Sequence, residues 1–391
     1  MTYKAYIVNF ELLYVSDESA DVTAVLQDSI LAEIRQASTN GFNAIVGLML
    51  VDGFLYKDNQ AFYSLLNAVN EECKKLNIKK VVLIAGMCAD YQQTLDNKNI
   101  PFEIMFFDFN LNLVYQSYKE NINQLPEWNP NTDKFLFLGG APARHNRILL
   151  LYKLYTSGLL SKADWSFFKP WVSDDIAWCR DALSFISDDE YTNFLNNCDR
   201  SVDDKYSESK DYSKLSAKDL KTQQTHSTKW CQDPGWIDPS IFYNTSLSII
   251  SEGNIYSPAH DYNFLTEKTW RTVINKHPFI FAGDPAQFKY LEQQGINSFR
   301  QYITNPNYAY IRDEDERLNA VVDSTFDLLY VLHTSQEQFK ADIEQNYQLF
   351  FKKVKQNNQL LDRLRVDFNV DIVEIDKWFN QKSFVHIVGV T

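Results

Sequence analysis

The chain has 391 residues, 45% of them hydrophobic, and 38 basic against 51 acidic side chains give a formal charge of −13. That length suffices for two hydrophobic cores and exceeds a single small binding module, and the apolar content excludes global disorder. The acidic balance argues against indiscriminate nucleic-acid binding, which needs a basic footprint, although a local basic groove is compatible with it.

Aromatic residues reach 15% of the chain, enough for large-residue cores and for flat faces that stack on a sugar or a nucleobase. The five cysteines, at 73, 88, 179, 198 and 231, form no close pair, which points away from a disulfide framework or a metal cluster. The opening MTYKAYIVNFELLY lacks the basic start and apolar run of a signal peptide. The apolar runs at 45–50 and 385–390 are too short to span a bilayer. The expectation is a soluble, cytoplasmic protein.

In chain order, AYIVNF at 5–10 predicts a strand, and 20–38 predicts a helix with Val22, Val25, Ile30 and Ile34 on one stripe. Ser38-Thr39-Asn40-Gly41 stops that helix. The apolar run 44–53 follows as a strand, 60–75 as a helix with Phe62, Leu65, Leu66 and Val69 inward, then strands at 81–86 and 102–109. Apolar strands alternating with one-faced helices predict a mainly parallel α/β domain over 1–125.

The polar stretch 120–133, with two prolines, reads as a domain boundary. A second domain is expected over 132–333, opening with the strand KFLFLGG at 134–140. A helix over 144–158 follows, with Ile148, Leu151, Tyr152 and Tyr155 buried and Gly158 as its cap. The Ser-, Asp- and Lys-rich 199–229 reads as a weakly structured insertion, either a lid or a segment without a catalytic role. Residues 239–252 read as a strand, and 266–299 as helix, strand, an Asp284-Pro285 turn, helix and a Gly295 stop. A C-terminal region, 334–391, holds a long amphipathic helix with Phe339, Ile343, Tyr347, Phe350 and Leu360 on its packed face and a terminal strand, and is expected to pack back on the two domains. Two α/β domains of this kind place a ligand in the cleft between them.

Two stretches carry candidate chemistry. In GGAPARHNR at 139–147, a strand ends in two glycines and a helix begins, so its free N–H groups form an anion site. Arg144 and Arg147, three apart, project from one face of the first turn, and cations there oppose the helix dipole unless an anion compensates. His145 lies between them. In HDYNFLTEKTWR at 260–271, Thr266 is an N-cap candidate and Glu267 falls in the first turn, able to accept from a ribose hydroxyl. Lys268 and Arg271 reach phosphate from one face. The alternative is a capped surface helix with a Glu267–Arg271 pair. Neither a GxGxxG nor a Walker sequence is present, which lowers the dehydrogenase and nucleotide-hydrolase readings.

The order DYNFLTEKTWR, apolar strand, Gly resembles the donor-binding motif of family 10 glycosyltransferases, the fucosyltransferases, and FLFLGGAPARHNR resembles that family's strand, turn and distal Arg. The resemblance extends to a wider group of viral and bacterial sugar transferases and covers 134–158 and 240–300. It implies a GT-B architecture, two Rossmann-like domains facing each other across a cleft. It also implies a nucleoside-diphosphate sugar as donor, UDP- or GDP-linked, with no metal at the donor site. Arg147, Tyr262, Glu267 and Lys268 fall on the family's nucleotide-binding positions. The chain departs from the pattern at Ser251-Glu252-Gly253-Asn254 and at Asn275-Lys276-His277-Pro278, so the base and sugar pockets need not be those for GDP-fucose.

The resemblance implies inverting transfer, which needs a base on the acceptor hydroxyl, expected at a strand's carboxyl end in the N-terminal domain. Asp52 fits that position, with Asp90 and Glu103 as competitors. The pairs Asp174-Asp175 and Asp188-Asp189 read as helix-start or surface carboxylates rather than a metal motif. The acceptor classes are a glycan, a small hydroxyl compound or modified DNA; related phage enzymes place sugars, arabinose among them, on modified bases. A host-cytoplasm location follows if the protein is viral. The competing class is a non-enzymatic carbohydrate- or protein-binding module.

Overall fold

The computed structural model describes residues 3–9, 20–49, 60–86, 91–140, 145–167, 173–198, 236–252 and 265–369. The chain is mixed α/β, with two four-stranded, fully parallel sheets. It divides into two compact units: one takes the chain up to Phe109 and again from Lys353, the other Asn110–Ala259 and Leu265–Lys352. This differs from the expected boundary near 125. The stretch 110–125 belongs with the second unit, where Tyr118 donates from its buried hydroxyl to the Ile237 carbonyl at 2.7 Å.

In the first unit, β1 (Ala5–Asn9), β2 (Ala44–Met49), β3 (Lys80–Ala85) and β4 (Glu103–Phe106) lie side by side in chain order. The crossovers contain α1 (Ala20–Thr39), α2 (Gln60–Lys75) and α3 (Tyr91–Asn97). Right-handed crossovers that always step the same way put their helices on one face of a sheet. Accordingly Ile30, Ile34, Leu65, Leu66 and Val69 pack with Ile45, Val81 and Leu83, while the alternate strand residues Val46, Leu48, Val82 and Ile84 turn the other way. Ile30 and Ile34 come from the expected stripe; the side chains of Val22, Val25 and Phe62 lie outside the described residues.

The helix between α3 and the second sheet is α4 (Phe109–Tyr118). That second sheet has the order β6-β5-β7-β8, from β5 (Phe135–Gly140), β6 (Ala163–Phe167), β7 (Leu247–Ser251) and β8 (Phe279–Ala282). The helices are α5 (His145–Thr156), α6 (Ser173–Ala182), α7 (Asp188–Cys198), a single turn α8 (Ser240–Tyr243), α9 (Glu267–Ile274), α10 (Pro285–Gln293) and α11 (Glu314–Val331).

Several local expectations change. Residues 239–252 are a helical turn and then a strand, because Pro239 holds helical dihedrals (φ −60°, ψ −22°) at the start of α8. The buried face of α5 is Arg147, Ile148, Leu150, Leu151 and Leu154, whereas Tyr155 is 36% exposed. The expected C-terminal helix is α12 (Gln336–Phe368), whose residues fall in both units, while 370–391, where a terminal strand is expected, lies outside the described residues. Phe339, Ile343 and Phe350 are buried in its first half, and Leu361, Leu364 and Phe368 close the open face of the first sheet. The insertion 199–229 lies outside the described residues.

Candidate functional site

The chain leaves β5 towards β6 on one side and leaves β7 towards β8 on the other, so these adjacent strands form the switch point of the second sheet. Ligands of open parallel sheets bind beyond the carboxyl ends of such a pair. Here those ends are Gly140 and Ser251, followed by the amino termini of α5 and α9.

Glu252, one residue beyond β7, is fully buried and ties these pieces together. Its backbone N–H donates to the Ala282 carbonyl at the end of β8 (3.0 Å). Its own carbonyl accepts from Asn146 Nδ2 in the first turn of α5 (3.4 Å). Its carboxylate oxygen Oε1 accepts from the Thr266 backbone N–H (3.2 Å) and the Thr269 hydroxyl (2.6 Å). The other oxygen, Oε2, is buried and accepts no hydrogen bond among the described residues.

Thr266 is the N-cap of α9, its hydroxyl accepting from the Lys268 N–H at 3.3 Å. The inward face beyond it is Trp270, Val273 and Ile274, all buried. Glu267 bonds both neighbouring cations through one oxygen, Oε1: Lys268 Nζ at 2.8 Å and Arg271 Nη2 at 3.4 Å. Burial works against its charge, but the Lys268 and Arg271 charges prevail and hold the carboxyl down at about 2. The intrahelical Glu267–Arg271 pair is therefore present.

Lys268 titrates below the ordinary lysine range, first because burial disfavours its charge, with Glu267 and Glu252 opposing and Arg147 adding to the shift. Arg147, on α5 and only 9% exposed, thus lies close enough for its field to reach the Lys268 amine. Arg147, Lys268 and Arg271 face two carboxylates, Glu252 and Glu267. Burial makes these cations depend on nearby negative charge, which Glu252 and Glu267 supply. His145, at the start of α5, lies 3.6 Å from Glu314 Oε2, and the Glu314 carboxylate raises its pKa despite partial burial.

Behind α9, a cavity of about 20 Å³ is bounded by Ser248, Ser251, Lys268, Arg271 and Thr272, and it is too small for a sugar. A depression of about 680 Å³ lies on α5 and α11, lined by Tyr152, Lys153, Phe185, Asp315 and Asn319, and none of the expected site residues lines it. Its lysine is committed to Asp315 (2.6 Å) and to Asn319 (2.8 Å).

The candidate bases fare differently. Asp52 and Asp90 lie outside the described residues, as do Arg144 and Tyr262. Glu103 opens β4, so it occupies the amino end of its strand, opposite to the end at which a base is expected. It is also paired with Lys80 (2.7 Å) and Arg363 (2.8 Å), and although burial opposes it, these two cations lower its pKa. A carboxylate held ionised by two cations is a weak proton acceptor, and Glu103 is withdrawn as a candidate.

Glu252 is the residue that sequence reasoning left out of the site. The signal was the carboxylate in Ser251-Glu252-Gly253-Asn254, directly after an apolar strand. Among the described residues no group of three or more His, Cys, Asp or Glu side chains is placed to hold a metal, and no helix is long and apolar enough to cross a membrane.

No protein-family model matches the chain, and no curated protein does. One solved structure aligns with it, described as the DNA modifying enzyme beta-glucosyltransferase in the presence and absence of the substrate uridine diphosphoglucose. The alignment covers 90% of this chain and 99% of that one at 12% identity, with a TM-score of 0.30. At that score the likeness carries no functional argument.

Proposed function

We propose that this protein is a nucleotide-sugar-dependent glycosyltransferase of GT-B type that transfers a sugar, with inversion, to a hydroxyl acceptor. The observation that supports it is the placement of Arg147 in the first turn of α5 and Lys268 in the first turn of α9, the helices that follow the adjacent strands β5 and β7, from two stretches more than a hundred residues apart in sequence. A diphosphate leaving group is the anion such a pair suits. On this reading Arg147 and Lys268 neutralise the phosphates, Arg144 and Arg271 add to the positive field, and Thr266 holds the turn. Glu267 accepts from the ribose hydroxyls, and Tyr262 flanks the nucleoside. The cradle supplies its own positive charge, which is the reason for assigning no metal to the phosphates.

In the reaction, a carboxylate takes the acceptor's hydroxyl proton as that oxygen bonds to the anomeric carbon. The carbon–oxygen bond to the diphosphate breaks, and the diphosphate leaves with the electron pair. Asp52 and Asp90 are the base candidates.

The test is thermal stabilisation by GDP, UDP and CDP in EDTA, followed by hydrolysis of the UDP- and GDP-linked sugars. Acceptors then follow: glycans, small hydroxyl compounds and duplex DNA with hydroxymethylated bases. At a hundredfold excess over Kd, ligand binding adds about 2.7 kcal/mol, which a melting curve resolves. Lys268→Ala is expected to remove most of that stabilisation. If no nucleoside diphosphate stabilises the protein, the assignment is wrong.

A further inference from the structure

We propose that Glu252 is a positioning residue for the anion site, a buried counter-charge to Lys268 that clamps the start of α9 before any ligand arrives. This deepens the glycosyltransferase reading and rests on it. The geometry carries it. A residue with no solvent exposure is fixed from three directions: Ala282 O accepts its N–H, Asn146 Nδ2 bonds its carbonyl, and Thr266 N–H and Thr269 Oγ1 both bond its carboxylate. Such a carboxylate cannot swing to solvent. Its second oxygen is buried and accepts no hydrogen bond among the described residues.

Burying a carboxylate in that state is costly unless nearby positive charge compensates it. Two sources are at hand, the amino terminus of α9 and the Lys268 ammonium, whose charged form Glu252 favours. The charged groups acting on Lys268 are Glu252 from the end of β7, Arg147 from α5 and its neighbour Glu267 on α9, which Arg271 also engages. Arg147 and burial both favour the neutral amine, and a neutral amine is a poor partner for a diphosphate. Glu252 and Glu267 restore the charge. Glu267 is 22% exposed at its side chain and is assigned to the ribose, so among the described residues Glu252 remains as a counter-ion that ligand binding does not recruit.

The experiment compares the full-length chain with Glu252→Gln. The amide oxygen of Gln can still accept from Thr266 N–H and Thr269 Oγ1, so those two bonds are kept while the charge is lost; circular dichroism checks that the variant is folded, and Glu252→Asp is the charge-restoring control. The Lys268 side-chain titration is followed by NMR with 13C-labelled lysine, its resonance assigned through Lys268→Met. The midpoint is expected to fall by roughly one pH unit in Glu252→Gln, the scale of one nearby charge at partial burial. In parallel, the alkaline limit of stabilisation by the best-bound nucleoside diphosphate moves to lower pH by a similar amount, and Glu252→Asp restores part of both shifts. An unchanged Lys268 midpoint in Glu252→Gln overturns the positioning role, whatever the nucleotides do. A shifted midpoint without binding of any nucleoside diphosphate upholds the electrostatic coupling and overturns the transferase reading instead.

Discussion

The Ser248 hydroxyl on β7 donates to Nδ1 of His277 at 2.7 Å, both side chains being buried. The direction follows from the other ring nitrogen: Nε2 lies 2.9 Å from the Thr245 carbonyl, which can only accept, so Nε2 carries the proton. His277 is thus a neutral imidazole locked in one tautomer. Burial lowers its pKa to about 4, against the pull of the Thr245 and Phe242 carbonyls.

That shift sets an acid limit on stability. The unfolded histidine protonates near 6.5, the folded one only near 4, so its contribution is complete above pH 6.5 and is lost as pH falls towards 4. The loss over that window is about 3 kcal/mol from this group. Urea unfolding from pH 7.5 to 4 should show this slope, and His277→Asn should remove it.

Glu267 acts at lower pH. Its folded pKa, about 2, lies below the ordinary 4.5, so the stability it confers is present above 4.5 and is lost as pH falls towards 2. Glu267→Gln should flatten that part of the acid unfolding curve. The same substitution should weaken binding of ribonucleotides more than binding of inorganic diphosphate, as measured by calorimetry.

Asp52→Asn and Asp90→Asn separate the remaining base candidates. The true base should lose at least about a hundredfold in transfer rate with nucleotide binding unchanged, the scale of general-base catalysis. Glu103→Gln should keep the transfer rate within about twofold and cost only about 0.5–1 kcal/mol, because it breaks partly exposed ion pairs.

Gly283, just beyond β8, tests the packing beneath the switch-point sheet. A Cβ there would run into the Phe281 ring, which is fully buried. Gly283→Ala should destabilise the protein by about 1–3 kcal/mol, seen as a lowered urea midpoint at unchanged slope. Thr266→Ala removes the α9 cap and should cost about 1 kcal/mol.

Local pattern was legible wherever apolar periodicity and punctuation agreed. β1 to β5, α1, α2 and α12 follow from it, and the left-handed turns at Gly41 and Gly295 stand where those glycines mark a stop. Asp284 is found as the N-cap of α10 with Pro285 in its first turn, matching the expected Asp-Pro turn. What escaped depends on distance in sequence. Nothing near Leu361, Leu364 or Phe368 says that they pack on a sheet formed by residues 5–106, and nothing near Glu252 says that Thr266 and Thr269 will bond it. The cationic residues around the cradle were visible as motifs. Their counter-charge was not, because a single carboxylate after a strand gains meaning only once α9 folds back over it.

The far face of the first sheet is sealed by Leu361, Leu364 and Phe368 near the end of α12, and Tyr3 donates from its backbone to the Asp367 carbonyl at 2.8 Å. On the ribosome, therefore, the sheet of residues 5–106 must wait until residues 361–368 have been made. Until then Val46, Leu48, Val82 and Ile84 offer a greasy, uncovered surface to the cell. A fragment stopped near residue 125 should precipitate unless a peptide spanning 353–369 is supplied alongside it, and chaperone dependence during synthesis is the expected cost of closing the fold so late.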